Sequence, residues 1–352
     1  MTIKIGIIGV GSIAQLHLAA YKQNPHVEVY ALCDINEPRL IAQGKLHGVE
    51  RLYTDYNEML KLEELDAVSV CTWNAEHAPA SIAALNAGKN VLCEKPMAMN
   101  PEQAVAMKAA ADAAGKLLMI GFAKRHSREC QTLKDFADQG FFGDMYYAKA
   151  EYYRRNGNPG SWFSNLAYSG GGPLIDLGVH FIDLTRYLMG NPKPVSVYGA
   201  TFHAIGDRPY LKDPHGYQPA DSGIEKKYDV EDFATALVRF DNGAVMQVED
   251  SYDMHLKQEG GNVQIFGTKA GATIFPKVEM FTENNGYLMD YNFAMNASSS
   301  FDELFVNEIN HYIDCIETHR PSIAPPEDGI AIMKILSGIY ESARTQHEVR
   351  LD

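Results

Sequence analysis

The chain has 352 residues, 46% of them hydrophobic, and a formal charge of −14. That length exceeds the roughly 250–300 residues that one core supports and predicts two domains. The acidic balance excludes nucleic acid and anionic membranes as partners, because both need a basic face.

Over residues 1–124, short β-branched runs alternate with amphipathic helical ones. In order these are strand "IKIGIIG", a helix from Ser12, strand "VEVYALC", a helix from Glu37, strand "AVSVC", a helix from Ala75, strand "NVLC", a helix from Pro101 and strand "LLMIGF". This alternation predicts a parallel sheet with right-handed crossovers. After the first strand, "GVGSIA" places Gly9, Gly11 and Ala14 in a GxGxxA arrangement, and Asp34 ends the second strand. Gly9 permits the tight turn, Gly11 lets backbone approach a pyrophosphate, and Ala14 allows close packing of helix on sheet. Ser12 and Ile13 open the helix whose unpaired amides would receive the phosphates. Asp34 would accept hydrogen bonds from a ribose hydroxyl and repel a 2′-phosphate. Ile35 and Asn36 offer no cation to that phosphate, so NAD is expected in preference to NADP.

From about residue 144 strand-like runs follow one another: "MYYAKAEYY", "PVSVYGATF", "DFATALVRF" and "AVMQVEDSY" joined by Asp241-Asn242-Gly243, then "NVQIFG", "ATIF" and "VEMFT". The Asn-Gly pair is a strong hairpin signal, and the region 125–352 is expected to form an α+β domain with a large, mostly antiparallel open sheet. Helices are expected from Gly172 to Leu188, over 302–318 and over 327–346. Two polar segments, 154–173 and 203–229, are long enough to be functional loops. Five cysteines without a CxxC pair read as reduced thiols packed in cores. The apolar start follows no basic segment, and no run reaches the roughly 20 apolar residues of a membrane span. A cytoplasmic location is therefore expected.

Motifs along the whole chain resemble the Gfo/Idh/MocA oxidoreductases. They include "GIIGVGSIA" with Asp34, "TDYNEML", "CTWNAEHAPASIAALNAGKNVLCEKPMA", "GGGPLIDLGVHFIDLTRYLMG", "VEDFATALVRFDNGAVMQVEDSY" and "NEINHYIDCIE". The resemblance implies a Rossmann domain, an open-sheet domain that supports homodimers or homotetramers, and a polyol or sugar substrate. Lys95 stands at the family's EKP lysine, after Glu94 and before Pro96. There an ammonium can hold a substrate hydroxyl and stabilise developing negative charge; a cis Lys95–Pro96 bond is expected. Asp176 and His180 match the DxGxHxxD pattern and share one helix face. His180 is the expected general base, and Asp176 a substrate-binding partner that helps to position it. Asp and His at this spacing can also ligate zinc, but no second His or Cys pair accompanies them, so no metal is expected. Thr72, Asn74 and His77 match positions along the cofactor crevice, although His77 could equally begin a helix.

Further substrate contacts are expected among Tyr152, Tyr153 and Trp162, whose flat faces suit a sugar ring, and among Arg125, Arg154 and Arg155. Asp183 suits a structural role, and Gly178 leaves room for a ligand between Asp176 and His180. Two other functions fit parts of this pattern: a glycosidase using NAD in transient oxidation, and a dinucleotide-sensing regulator without catalysis. Lys95, Asp176 and His180 together argue against the regulator.

Overall fold

The run Ile3–Ile8 is apolar on both faces, as a strand covered by helices on each side must be, and every position but Lys4 is buried. The computed structural model describes residues 2–212, 217, 219, 223–224, 227–293 and 299–351. In it this run is β1, and α1 (Ser12–Gln23), β2 (Val27–Cys33), α2 (Glu37–His47), β3 (Arg51–Tyr53) and α3 (Tyr56–Met59) follow. Then come β4 (Ala67–Val70), α4 (Asn74–Asn86), β5 (Asn90–Glu94), α5 (Pro101–Ala114) and β6 (Leu118–Gly121). The six strands are parallel in the order β3-β2-β1-β4-β5-β6. Strand order reverses between β1 and β4, so their carboxyl ends frame the crevice in which open α/β sheets take ligands.

The chain divides into two compact units, one drawing on residues 1–123, 219–224 and 300–333 and the other on 124–218, 225–299 and 334–352. Residues 300–333, near the C-terminus, pack with the first unit, the return toward the first domain that the sequence allows for a C-terminal helix.

The second unit contains α6 (Arg128–Asp138), β7 (Met145–Tyr153), α7 (Leu166–Ser169), α8 (Val179–Leu188), β8 (Pro194–Phe202), β9 (Phe233–Phe240) and β10 (Val245–Ser251). It continues through β11 (Gly260–Gly267), β12 (Ala270–Thr273), β13 (Glu279–Asn284) and β14 (Tyr287–Asn292). After it come α9 (Phe301–Thr318), which packs on α1 in the first unit, α10 (Pro326–Thr345) and β15 (Val349–Arg350). Among the described residues the sheet has nine strands in the order β14-β13-β12-β11-β7-β10-β9-β8-β15. Only β7 and β10 pair in parallel. In β9, Ala234, Ala236, Val238 and Phe240 alternate with more exposed residues, the signature of a sheet covered on one face. Helix α8 packs against β7 and β11.

The expected helix from Gly172 begins instead as a π-helical turn, Leu174–Gly178, before α8 takes over. A widened turn of this kind is common at functional sites. Parts of the expected loop 203–229, namely 213–216, 218, 220–222 and 225–226, lie outside the described residues. All five cysteines are buried and free.

Candidate active site

The glycine loop after β1 is shaped by two different constraints. Gly9 has φ +86, and a Cβ there would stand 2.7 Å from the Cys71 carbonyl oxygen, so both backbone conformation and space demand glycine. A Cβ on Gly11 would meet nothing within 4 Å. Gly11 is also the N-cap of α1, and its lack of a side chain leaves that helix without a side-chain cap. An open helix N-terminus beyond a glycine cradle fits a dinucleotide pyrophosphate. Ser12 and Ile13 are half-exposed there, while Ala14 is buried beneath them.

Asp34 lies where a ribose carboxylate belongs, but its oxygens already have partners. Oδ2 accepts from the Val10 N–H at 2.8 Å and Oδ1 from the Asn36 N–H at 2.8 Å. Arg39 adds a fork, with Nε donating to Oδ2 at 3.2 Å and Nη2 to Oδ1 at 2.8 Å. Residues 35 and 36 carry no cation, but one turn of α2 brings Arg39 back to the carboxylate. The signal was the Asn36 cap of α2, whose side chain accepts from the Arg39 N–H.

On the far side of the crevice, Thr72 is half-buried and Asn74 starts α4. His77 is 1% exposed, which leaves almost no surface for a ligand. Its Nδ1 lies 2.7 Å from the Pro96 carbonyl and its Nε2 3.2 Å from the Thr72 carbonyl. Burial lowers its pKa, and the neutral ring carries a single N–H, so it donates to one of these two carbonyls. Glu94 is likewise buried, with its carboxylate on His17 and on the Lys95 N–H. Lys95 follows the carboxyl end of β5, and the Lys95–Pro96 bond is cis. From Val91 to Ala98 every residue except Lys95 is buried.

In the second unit Gly170 takes φ +79 as the left-handed cap of α7, and the next two glycines, before the π turn, are packing positions. A Cβ on Gly171 would stand 2.6 Å from Tyr340 Cζ, and one on Gly172 would stand 3.0 Å from Glu231 Cδ. The Glu231 carboxylate accepts from the Gly172 N–H (2.8 Å), the Leu174 N–H (3.2 Å) and the Tyr340 hydroxyl (2.8 Å). It thereby satisfies amides at the start of the helical segment, a role the sequence did not reveal because Glu231 lies 57 residues from Leu174. From Gly171 to Met189 every residue except His180 is buried. Asp176 Oδ2 accepts from Tyr252 Oη at 2.9 Å. Burial and then the Asp176 charge push that phenol well up, so it stays a donor.

Gly178 does not leave room for a ligand. A Cβ there would stand 2.9 Å from Asp250 Cγ, because this fully buried β10 carboxyl fills the space. Gly178→Ala is expected to lower stability by about 1–3 kcal/mol through overpacking, measured by urea denaturation. At an unobstructed helical glycine the same change would stabilise by about 1 kcal/mol.

Two of the other expected substrate residues are committed elsewhere. Arg125 is fully buried and forks onto Asp183, with Nε to Oδ2 at 2.9 Å and Nη2 to Oδ1 at 2.6 Å. No surface remains for substrate, and the pair accounts for Asp183. Tyr153 is half-buried and donates to Glu249 Oε2. Trp162 is half-buried and stacks on Phe163 at 3.8 Å between centroids. Nearby, a cavity of about 350 Å³ is lined by Asn156, Ser161, Ser164, Arg208 and Tyr228 from the two long loops and by Asp253 after β10.

Family models match most of the chain. Residues 3–122 match the oxidoreductase family model with an NAD-binding Rossmann fold, and residues 130–273 match the GFO/IDH/MocA C-terminal domain. The chain is 33% identical to the D-glucoside 3-dehydrogenase of Escherichia coli K12, covering 99% of this chain and 97% of that protein. It is 26% identical to the myo-inositol 2-dehydrogenase of Thermotoga maritima, over 99% and 98% of the two chains. A solved levoglucosan dehydrogenase in complex with NADH has the same fold, with a TM-score of 0.88, 22% identity and full coverage of both chains.

Proposed function

Since the chain belongs to the Gfo/Idh/MocA family of NAD-binding oxidoreductases, we propose that it oxidises a secondary hydroxyl of a sugar or cyclic polyol. Bound NAD supplies the acceptor for the hydride. The observation that carries the reading is the exposure pattern: Lys95 and His180 are each the only residue not buried in an otherwise buried run of their own unit. An ionisable side chain that alone reaches the surface from a buried run is held in place by its neighbours and still accessible to a ligand, as a functional group must be. In the proposed mechanism Lys95 holds the reacting hydroxyl oxygen and stabilises its negative charge. His180 accepts the hydroxyl proton. Asp176, held by Tyr252, takes a hydrogen bond from a substrate hydroxyl.

The test is a purified-protein screen of inositols, aldoses and glucosides with NAD and NADP, following reduced nicotinamide. Substrate turnover with cleavage but no net reduction would favour the glycosidase reading, and inactivity across the panel would favour the regulator. The names of the relatives make glucosides and inositols the first compounds to try. Cofactor choice follows from Asp34 and Arg39. Asp34→Ser removes the anion and leaves Arg39 to meet a 2′-phosphate. A charge-assisted hydrogen bond contributes about 1.5–3 kcal/mol, so the ratio of kcat/KM for NADP over NAD is expected to rise at least about tenfold.

We also propose a homo-oligomer through the uncovered sheet face. Register places Tyr198 of β8 opposite Leu237 of β9, and Tyr147 of β7 opposite Phe266 of β11, on that face. Tyr198 and Leu237 are about half exposed. Light scattering of the parent and of Leu237→Lys tests it; an unchanged mass in the variant would count against this face.

No helix among the described residues is long and apolar enough to cross a membrane.

A further inference from the structure

Helix α9 brings a carboxyl into the first unit that neither dinucleotide binding nor the proposed chemistry uses. Glu308 is fully buried, and neither of its oxygens has a hydrogen-bond partner among the described residues. One of them, a ring nitrogen of His17 and an oxygen of Glu94 all lie within 4.8 Å of one another, and all three residues are buried.

The hydrogen bonds around this trio run in one direction. Tyr21 Oη lies 2.7 Å from Ser69 Oγ, Ser69 Oγ lies 3.3 Å from His17 Nδ1, and His17 Nε2 lies 2.9 Å from Glu94 Oε1. The other Glu94 oxygen accepts from the Lys95 N–H at 3.2 Å. One assignment of donors runs through the whole chain: Tyr21 donates to Ser69, Ser69 to Nδ1, and Nε2–H to the carboxylate. Glu94 is then an acceptor on both oxygens and must be the anion. A second anion at this distance in a buried setting would be strongly repelled.

We propose that Glu308 carries a proton, so that a neutral carboxylic acid backs the Glu94 anion and Glu308 acts as a positioning residue for the Lys95 segment through Glu94. The electrostatics agree. Burial, then the Glu94 charge, push Glu308 well above the ordinary carboxyl range. Burial also pushes Glu94 up, but the hydrogen bond from His17 and the charge of Lys95 outweigh it, so Glu94 lies low. The other groups coupled to Glu308, Tyr21 of α1 and Cys71 after β4, are raised by burial and stay neutral. The protonation of Glu308 stands on this geometry alone, whereas its consequence for Lys95 rests on the proposed catalytic role of that lysine.

Linkage gives the test its sign. A carboxyl raised in the folded state keeps its proton while the unfolded chain loses it, so the parent loses stability as pH rises from the ordinary carboxyl pKa of 4.5 toward the folded value. Glu308→Gln keeps the neutral shape without the titration. Its melting temperature should match the parent's at the acid end and exceed it progressively as pH rises. Parallel curves, or a variant that loses ground with rising pH, would overturn the proposal by showing an ionised Glu308. Infrared spectra of the full-length parent with bound NAD should contain the carbonyl band of a buried protonated carboxylic acid that Glu308→Gln removes. If that variant does not fold, Glu308→Asp should shift the band, and an unmoved band overturns the assignment. Elemental analysis is the third arm: one equivalent of a divalent metal per chain would mean the trio is a metal site and overturn the protonated Glu308. None of these readouts depends on turnover, so failure of the catalytic reading is distinguishable from failure of this one.

Discussion

His180→Ala is expected to lower kcat by about 10²–10⁴-fold, the usual contribution of a positioned general base, while the Kd for NAD stays within about twofold. The second half of that expectation follows from the fold. His180 stands on α8 of the second unit, whereas the glycine loop, the open N-terminus of α1 and Asp34 all belong to the first. Truncating His180 therefore leaves the dinucleotide cradle intact. It also leaves the helix packed, because the flanking Val179 and Phe181 are buried and His180 is not. Lys95→Ala should lower kcat/KM comparably, but with a larger share in KM, since a group that holds the hydroxyl oxygen binds the ground state as well as the transition state. If His180→Ala turns over like the parent, His180 is not the base. If melting temperature falls together with activity, the loss is structural.

The features that were legible in the sequence are those with short-range causes. The parallel sheet could be read from alternating runs, because a strand buried on both faces is apolar at nearly every position. The hairpin between β9 and β10 could be read from Asn242-Gly243, where Gly243 takes φ +86. Strand β14 was missed because all six of its residues are exposed and leave no burial period to find. At the candidate site, the glycine fingerprint, Lys95 and the Asp176/His180 spacing stand out in the sequence because each lies within one local motif. The residues that hold them do not. Glu231, Tyr252 and Asp250 reach the π turn from strand ends far along the chain, and Arg39 reaches Asp34 only after a turn of helix. The Tyr153 hydroxyl and the Arg125 guanidinium, which suit a substrate by type, are bound to Glu249 and Asp183 instead. A polar residue type announces that a partner is needed, and only the fold says which one.

Arg125→Ala should be among the most destabilising single substitutions in the second unit, costing about 3–5 kcal/mol, because it leaves a buried carboxylate without its counter-charge. Arg125 and Asp183 have side chains exposed by only 0% and 2%, and their two hydrogen bonds form a fork. The guanidinium carbon also lies 4.5 Å from the centroid of the Tyr187 ring on the same helix. Arg125→Lys should recover only part of the loss, since an ammonium cannot reproduce two parallel N–H donors or the planar contact. The informative variant is the pair Arg125→Met with Asp183→Leu. Both charges and their desolvation vanish together, and replacing a buried ion pair by apolar residues of similar volume is often neutral. The double variant should therefore recover most of the urea midpoint lost by Arg125→Ala, with a coupling of several kcal/mol in the double-mutant cycle. Asp183 lies one helical turn beyond His180, so the same protein also separates scaffold from substrate contact. A stable double variant whose KM stays within about twofold of the parent identifies the pair as the anchor of α8. A stable double variant whose KM rises tenfold would return Arg125 to the substrate.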